Sequence, residues 1–134
     1  MYYERLIRLV DKHPDSTSRF KLCAVALKGS RVMSIGYNRP KTDPNVFRVI
    51  TTNRIDCMYE TSHTNYVSCN IHAESNALKR LKGDADTLFV IRRDLNGKLT
   101  MAKPCNVCMG FIAKTNIKTI FFSNEKGEIE EMRL

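Results

Sequence analysis

Residues 71–92 read IHAESNALKRLKGDADTLFVIR, and the hydrophobic period changes inside this stretch. The first half places Ala73, Ala77, Leu78 and Leu81 on one side of a helix predicted from Ile71 to about Lys82, with Gly83 as its stop signal. The second half, Thr87–Arg92, is an unbroken apolar run of the kind found in strands covered on both faces. A helix that feeds a buried strand belongs to a layered α/β architecture.

The flanking sequence supports the same architecture. Upstream, Leu6, Ile7 and Val10 form one stripe of a short amphipathic helix predicted from Tyr2 to about Lys12. His13-Pro14-Asp15 ends that helix, since proline disfavours helical backbone in the residue before it, and His13 is expected at the surface. Phe20–Leu27 and Arg31–Tyr37 read as a hairpin turning at Gly29-Ser30. Downstream, Asp94–Gly97 is a second hairpin turn, with Lys98–Ala102 as the returning strand. Pro104 then precedes a helix running through Cys105, Cys108, Phe111 and Ile112. A strand at Lys118–Phe122, a polar turn and a final strand at Glu128–Leu134 complete the order. The expected fold class is α/β, a single mixed sheet of about five strands flanked by helices, in one domain spanning residues 1–134.

Between Asn38 and Asn70 no period is visible, the pattern of a functional loop or lid. Its Phe47, Arg48, Arg54, Tyr59 and Tyr66 suit packing of the loop somewhat better than stacking on a base.

With 134 residues, 43% of them hydrophobic and 27% charged, the chain has the size and composition of one globular domain. It has neither an apolar run long enough to cross a bilayer nor, at MYYERLIRLVDKH, the apolar core of a signal peptide. The expectation is a soluble, cytoplasmic protein with no membrane partner, of viral or bacterial origin among the alternatives. Lys and Arg total 22 against 14 Asp and Glu, a formal charge of +8 that favours anionic partners. The basic residues are dispersed, so a solvated basic surface explains them equally well. Five cysteines without an export signal fit metal binding or catalysis better than a disulfide scaffold.

Two short motifs carry the chemistry, His72-Ala73-Glu74 and Pro104-Cys105-Asn106-Val107-Cys108. One imidazole and two thiolates are soft donors that suit zinc, and three protein ligands leave a coordination position open, as in a catalytic site. Cys105 and Cys108 stand at i and i+3 on one helix face, in the first turn, where the helix dipole lowers thiol pKa. Glu74 lies two positions beyond His72, a rotation of roughly 200° along a helix. It is therefore suited to proton transfer rather than ligation, taking a proton from water and returning it to a ring nitrogen and the leaving amine. His-x-Glu followed by Pro-Cys-x-x-Cys is the signature of zinc-dependent nucleobase deaminases.

From the first hairpin to Phe122 the chain resembles the cytidine deaminase superfamily, and its HAESNAL run (His72–Leu78) is closest to the deoxycytidylate deaminases. VMSIGYN (Val32–Asn38) resembles the second strand of those enzymes, whose terminal Asn contacts the sugar. The resemblance implies His72, Cys105 and Cys108 as zinc ligands and Glu74 as proton shuttle. It also implies Asn38 as a substrate contact and the Ala73 N–H as donor to the pyrimidine carbonyl. A homo-oligomer follows from the same likeness. The chain departs from that branch in its RDLNGKLTMA hairpin, in Met109 after the second Cys, and in a short C-terminal segment. The last departure implies an antiparallel final strand, as in free-nucleoside deaminases. Some viral relatives hold a second, structural zinc ahead of the HAE motif, which makes Cys57, His63 and Cys69 candidate ligands here. Their spacing matches no tight zinc motif, and buried free cysteine is the preferred reading, as it is for Cys23.

The function expected first is zinc-dependent conversion of cytosine to uracil on a free nucleotide such as dCMP. The alternative is an editing deaminase acting on cytosine or adenine in single-stranded DNA or tRNA, for which the positive charge, the long basic-aromatic loop and the extra hairpin would form the binding surface. A zinc-stabilised binding module without turnover is the third reading, and Glu74 argues against it.

Overall fold

The computed structural model describes residues 2–14, 20–42 and 70–134 of the chain. Cys57, His63 and Cys69 lie outside the described residues, as do the aromatic and basic residues singled out between Phe47 and Tyr66.

The chain begins with α1 (Tyr2–Ile7), which tightens into a 3-10 segment, Arg8–Lys12, instead of continuing as the α-helix expected to Lys12. Strands β1 (Lys21–Lys28) and β2 (Arg31–Tyr37) form the first hairpin, with Gly29 at φ +60° supplying the left-handed turn residue. Next come the short β3 (Arg39–Thr42) and β4 (Asn70–Ile71), then α2 (Ala73–Arg80) and β5 (Thr87–Arg93). The chain closes with β6 (Leu99–Thr100), α3 (Asn106–Ile112), β7 (Thr119–Ser123) and β8 (Ile129–Arg133).

The main sheet runs β2-β1-β5-β7-β8, with β6 paired to β5. Among the described strands only β5 and β7 pair in parallel, because α3 lies between them and crosses over the sheet. β8 returns antiparallel to β7 across the turn at Gly127 (φ +78°), as the short C-terminal segment implied. β3 and β4 pair as a separate two-stranded ribbon, Arg39 opposite Ile71 and Thr42 opposite Asn70. The sequence reading places no element here, because strands of four and two residues are too short to display a period and Pro40 argues against one.

The middles of β1 and β5, Leu22–Leu27 and Leu88–Ile91, are apolar because both faces of the sheet are covered. Alternate residues Ala24, Ala26, Leu88 and Val90 face one core with Ala73, Ala77 and Ile112 of α2 and α3. The intervening Cys23, Val25, Leu27, Phe89 and Ile91 face the other, with Leu6 and Val10 of the N-terminal segment. Tyr3 stacks on Phe89 there, with centroids 5.6 Å apart. Cys23 is thus a core residue, as expected. Among the described residues no helix is long and apolar enough to cross a membrane.

Candidate metal centre

His72 and Cys105 occupy equivalent places in the two helices of one layer. Each is the N-cap, His72 of α2 (φ −86°, ψ 148°) and Cys105 of α3 (φ −72°, ψ 170°). Their extended backbone throws the side chain back across the start of the helix instead of along its flank. Both helices therefore begin one residue or more later than the sequence pattern suggests, and the ligands stand just outside them. Cys108 follows one turn into α3 and is fully buried.

These side chains converge. Nδ1 of His72 lies 3.2 Å from Cys108 Sγ and 3.6 Å from Cys105 Sγ. All three donor atoms fall within 4.8 Å of one another. Tetrahedral zinc with Zn–S near 2.3 Å and Zn–N near 2.0 Å separates its ligand atoms by roughly 3.5–3.8 Å, so the cluster has the dimensions of a zinc site. The donors fit in character as well. The Cys105 thiol is drawn down to about 4, chiefly because Cys108 donates a hydrogen bond to it, with His72 adding to the effect. Cys108, which gives that bond and is buried, is pushed up. Two sulfurs competing for one proton beside an imidazole are relieved by a cation that takes both as thiolates.

Glu74 lies in the first turn of α2, 5% exposed. Burial raises its carboxyl above the ordinary range, against the opposing pull of His72, and the group lies beside Cys105 and Cys108. Ala73, 1% exposed, opens the same helix, and its N–H has no acceptor within the helix.

What lowers α2 onto the sheet is a set of contacts with β2 that the sequence motifs do not reveal. A Cβ at Gly36 would lie 2.2 Å from Ala77 N and 2.3 Å from Ala73 O, so only glycine permits this approach. Ser34 Oγ donates to Ala77 O at 2.8 Å, and Asn76 Nδ2 donates to Tyr37 O at 3.2 Å. An isolated glycine inside a strand pattern is the one available signal for such an approach.

Asn38 stands just past β2, adjacent to the ribbon whose other strand leads into His72. Its side chain is engaged by Leu22, Phe20 and His13. His13 is 7% exposed, not the surface residue expected at a helix end. The 3-10 segment turns its ring inward, where it meets Tyr37 edge-on.

Residues 1–124 match the family model of the cytidine and deoxycytidylate deaminase zinc-binding region. The chain belongs to this family. It is a zinc-dependent deaminase of the cytosine type, and His72, Cys105 and Cys108 are placed so that they could hold the zinc. The 1.6 Å crystal structure of cytidine deaminase from Burkholderia pseudomallei is similar in fold, with a TM-score of 0.57 at 15% identity, covering 99% of this chain and 93% of that one. The dCMP deaminase from cyanophage S-TIM5, solved in apo form, gives 0.52 at 21% identity over 92% of this chain and 80% of its own. No curated protein sequence matches the deaminase chain significantly.

Proposed function

We propose that this deaminase acts on the cytosine of a free nucleotide, with dCMP as the first substrate to test. The observation that carries deamination itself is Glu74, buried beside the three-donor cluster with its carboxyl raised by that burial. Zinc, when bound, supplies the Lewis acidity that makes water a competent nucleophile near neutral pH. Glu74 would take one proton of the attacking water and deliver it to the ring nitrogen, then carry the proton of the added hydroxyl to the amine as the C–N bond breaks, leaving the carbonyl and ammonia. A carboxyl whose affinity for protons is raised by burial suits a group that must both accept and return them. The Ala73 N–H points a helix-start donor at the pyrimidine carbonyl, and Asn38 holds the sugar. The resemblance of GYN and HAESNAL to deoxycytidylate deaminases supports the free nucleotide, and the charge of +8 suits a phosphate. The dCMP deaminase among the similar structures is consistent with it. Assembly as a homo-oligomer is proposed on the family likeness, with mass by light scattering as its check.

One observation favours the editing reading. The β5–β6 hairpin projects Leu95, 71% exposed, next to exposed Lys98, a surface that a polymer could use. The test incubates zinc-loaded protein with dCMP, CMP, cytidine, deoxycytidine, adenosine, single-stranded DNA and tRNA, and follows amine-to-oxygen exchange by mass spectrometry. Exchange on dCMP, lost at least about 10³-fold in Glu74→Gln, is the expected result. Exchange confined to the polymers, falling steeply with salt, would overturn the free-nucleotide reading.

A further inference from the structure

His13 and Asn38, 25 residues apart in the chain, meet where the N-terminal segment reaches the end of β2. Nε2 of His13 lies 2.7 Å from Asn38 Oδ1 and 3.0 Å from the Asn38 main-chain oxygen. The direction of these bonds is set by the other partners of the amide. The Leu22 N–H donates to Oδ1 at 2.9 Å, and Nδ2 donates to Phe20 O at 3.1 Å. Exchanging the amide oxygen and nitrogen would set donor against donor and acceptor against acceptor, so the orientation is fixed. Both atoms facing Nε2 are then acceptors, and Nε2 must carry the hydrogen. The imidazole ring is itself held, edge-on to Tyr37 with centroids 5.3 Å apart. Tyr37 in turn donates through its hydroxyl to Leu9 O at 2.9 Å.

This arrangement determines what Asn38 can offer. A carboxamide oxygen has two lone pairs, and here both are taken, by Leu22 and His13. The amide nitrogen has two hydrogens, one of them given to Phe20. Asn38 is also tied to the metal ligands through the backbone. It precedes Arg39, which pairs with Ile71, the residue before His72.

We propose that His13 is a positioning residue that holds Asn38 as a hydrogen-bond donor to an acceptor oxygen on the substrate's sugar. The inference rests on Asn38 being a sugar contact. His13 touches no reacting atom; it acts through Asn38, and its loss lets the amide rotate and costs binding more than turnover. A sugar hydroxyl satisfies such a donor, whereas a sugar lacking the oxygen leaves it unpaired.

The test is steady-state kinetics of the zinc-loaded enzyme, on the cytosine substrate that the parent turns over, for His13→Phe, His13→Gln, Asn38→Ala and the Phe/Ala double variant. Phenylalanine keeps the ring against Tyr37 and removes the donor; glutamine restores a donor. His13→Phe should raise KM about fivefold with kcat within about twofold, the size of one hydrogen bond lost from binding. His13→Gln should recover most of that KM, and Asn38→Ala should raise KM at least as far. In the double variant the histidine change should add nothing. If Asn38→Ala leaves KM unchanged, the sugar-contact reading itself fails. If Asn38→Ala raises KM but His13→Phe does not, or if the two changes add fully, the positioning role alone is overturned. A His13→Phe chain that does not fold leaves the decision to His13→Gln, whose KM must stay within about threefold of the parent.

Discussion

Cys23 and Cys108 are both buried, 1% and 0% exposed, yet they lie on opposite faces of the sheet and have opposite chemistry. On the face covered by α1, Cys23 sits among Val25, Phe89 and Ile91, and burial pushes its thiol up to about 12. On the face covered by α2 and α3, Cys108 shares a proton with Cys105 beside an imidazole. The faces also differ in the size of what they pack. Aromatic rings fill the first, where Tyr3, Phe89 and Phe121 meet. In the second, Leu88, Ile112, Ile120 and Phe122 supply the bulk, but Ala24, Ala26, Ala73, Ala77 and Gly36 gather around the contact of α2 with the sheet. Large side chains hold a helix away from a sheet and stabilise by burial; small ones let helix backbone descend onto it. The second arrangement brings the starts of two helices together, and that is where the metal donors are needed.

The contrast can be broken most severely at the metal. Cys108→Ser should remove one equivalent of zinc and lower turnover at least about 10³-fold, whereas Cys23→Ala should keep both, as metal analysis beside activity would record. Thiol reactivity sharpens the same contrast. Once zinc has been stripped with a chelator, iodoacetamide at neutral pH should label Cys105 more than about 10³-fold faster than Cys23, by peptide mapping. The sign follows from the ionisation. Cys105 is a thiolate above about 4, so its labelling should be flat from about pH 6 to pH 9, while Cys23 stays protonated until pH approaches about 12. Equal rates for the two would show that the faces do not differ as described.

Gly36→Ala would place a methyl 2.2 Å from Ala77 N, and lifting α2 should cost about 3 kcal/mol and weaken zinc retention, read by denaturant unfolding and chelator competition. On the other face, Val10→Ala opens a small cavity at a fully buried position. It should cost about 2 kcal/mol and leave zinc affinity and kcat unchanged. Loss of zinc in Val10→Ala, or its full retention in a destabilised Gly36→Ala, would contradict the division of labour between the faces.

How much of this was legible in the chain differs between the two faces and between strong and weak signals. The apolar runs at β1 and β5, the helix over HAESNAL and the turns at Gly29 and Gly97 are local patterns, and each appears within a residue or two of its expected place. The antiparallel last strand follows from a connection too short for a crossover. His72, Cys105 and Cys108 announce themselves because few purposes besides a metal bring such donors together at such spacing. By contrast, β3 and β4 are too short to show a period, and the inward turn of His13 depends on a 3-10 segment that the amphipathic stripe cannot distinguish from α-helix.

The order of elements, the buried run of β5 and three soft donors suited to zinc are legible in the chain, because these rest on residue type and near-neighbour spacing. That His72 and Cys105 are both N-caps, that α2 comes down onto Gly36, and that His13 grips Asn38 emerge only in the folded chain. Those are contacts between residues far apart in the chain. Their geometry depends on how closely α2 and the N-terminal segment settle onto β2, a distance that is fixed only when every side chain between them is packed.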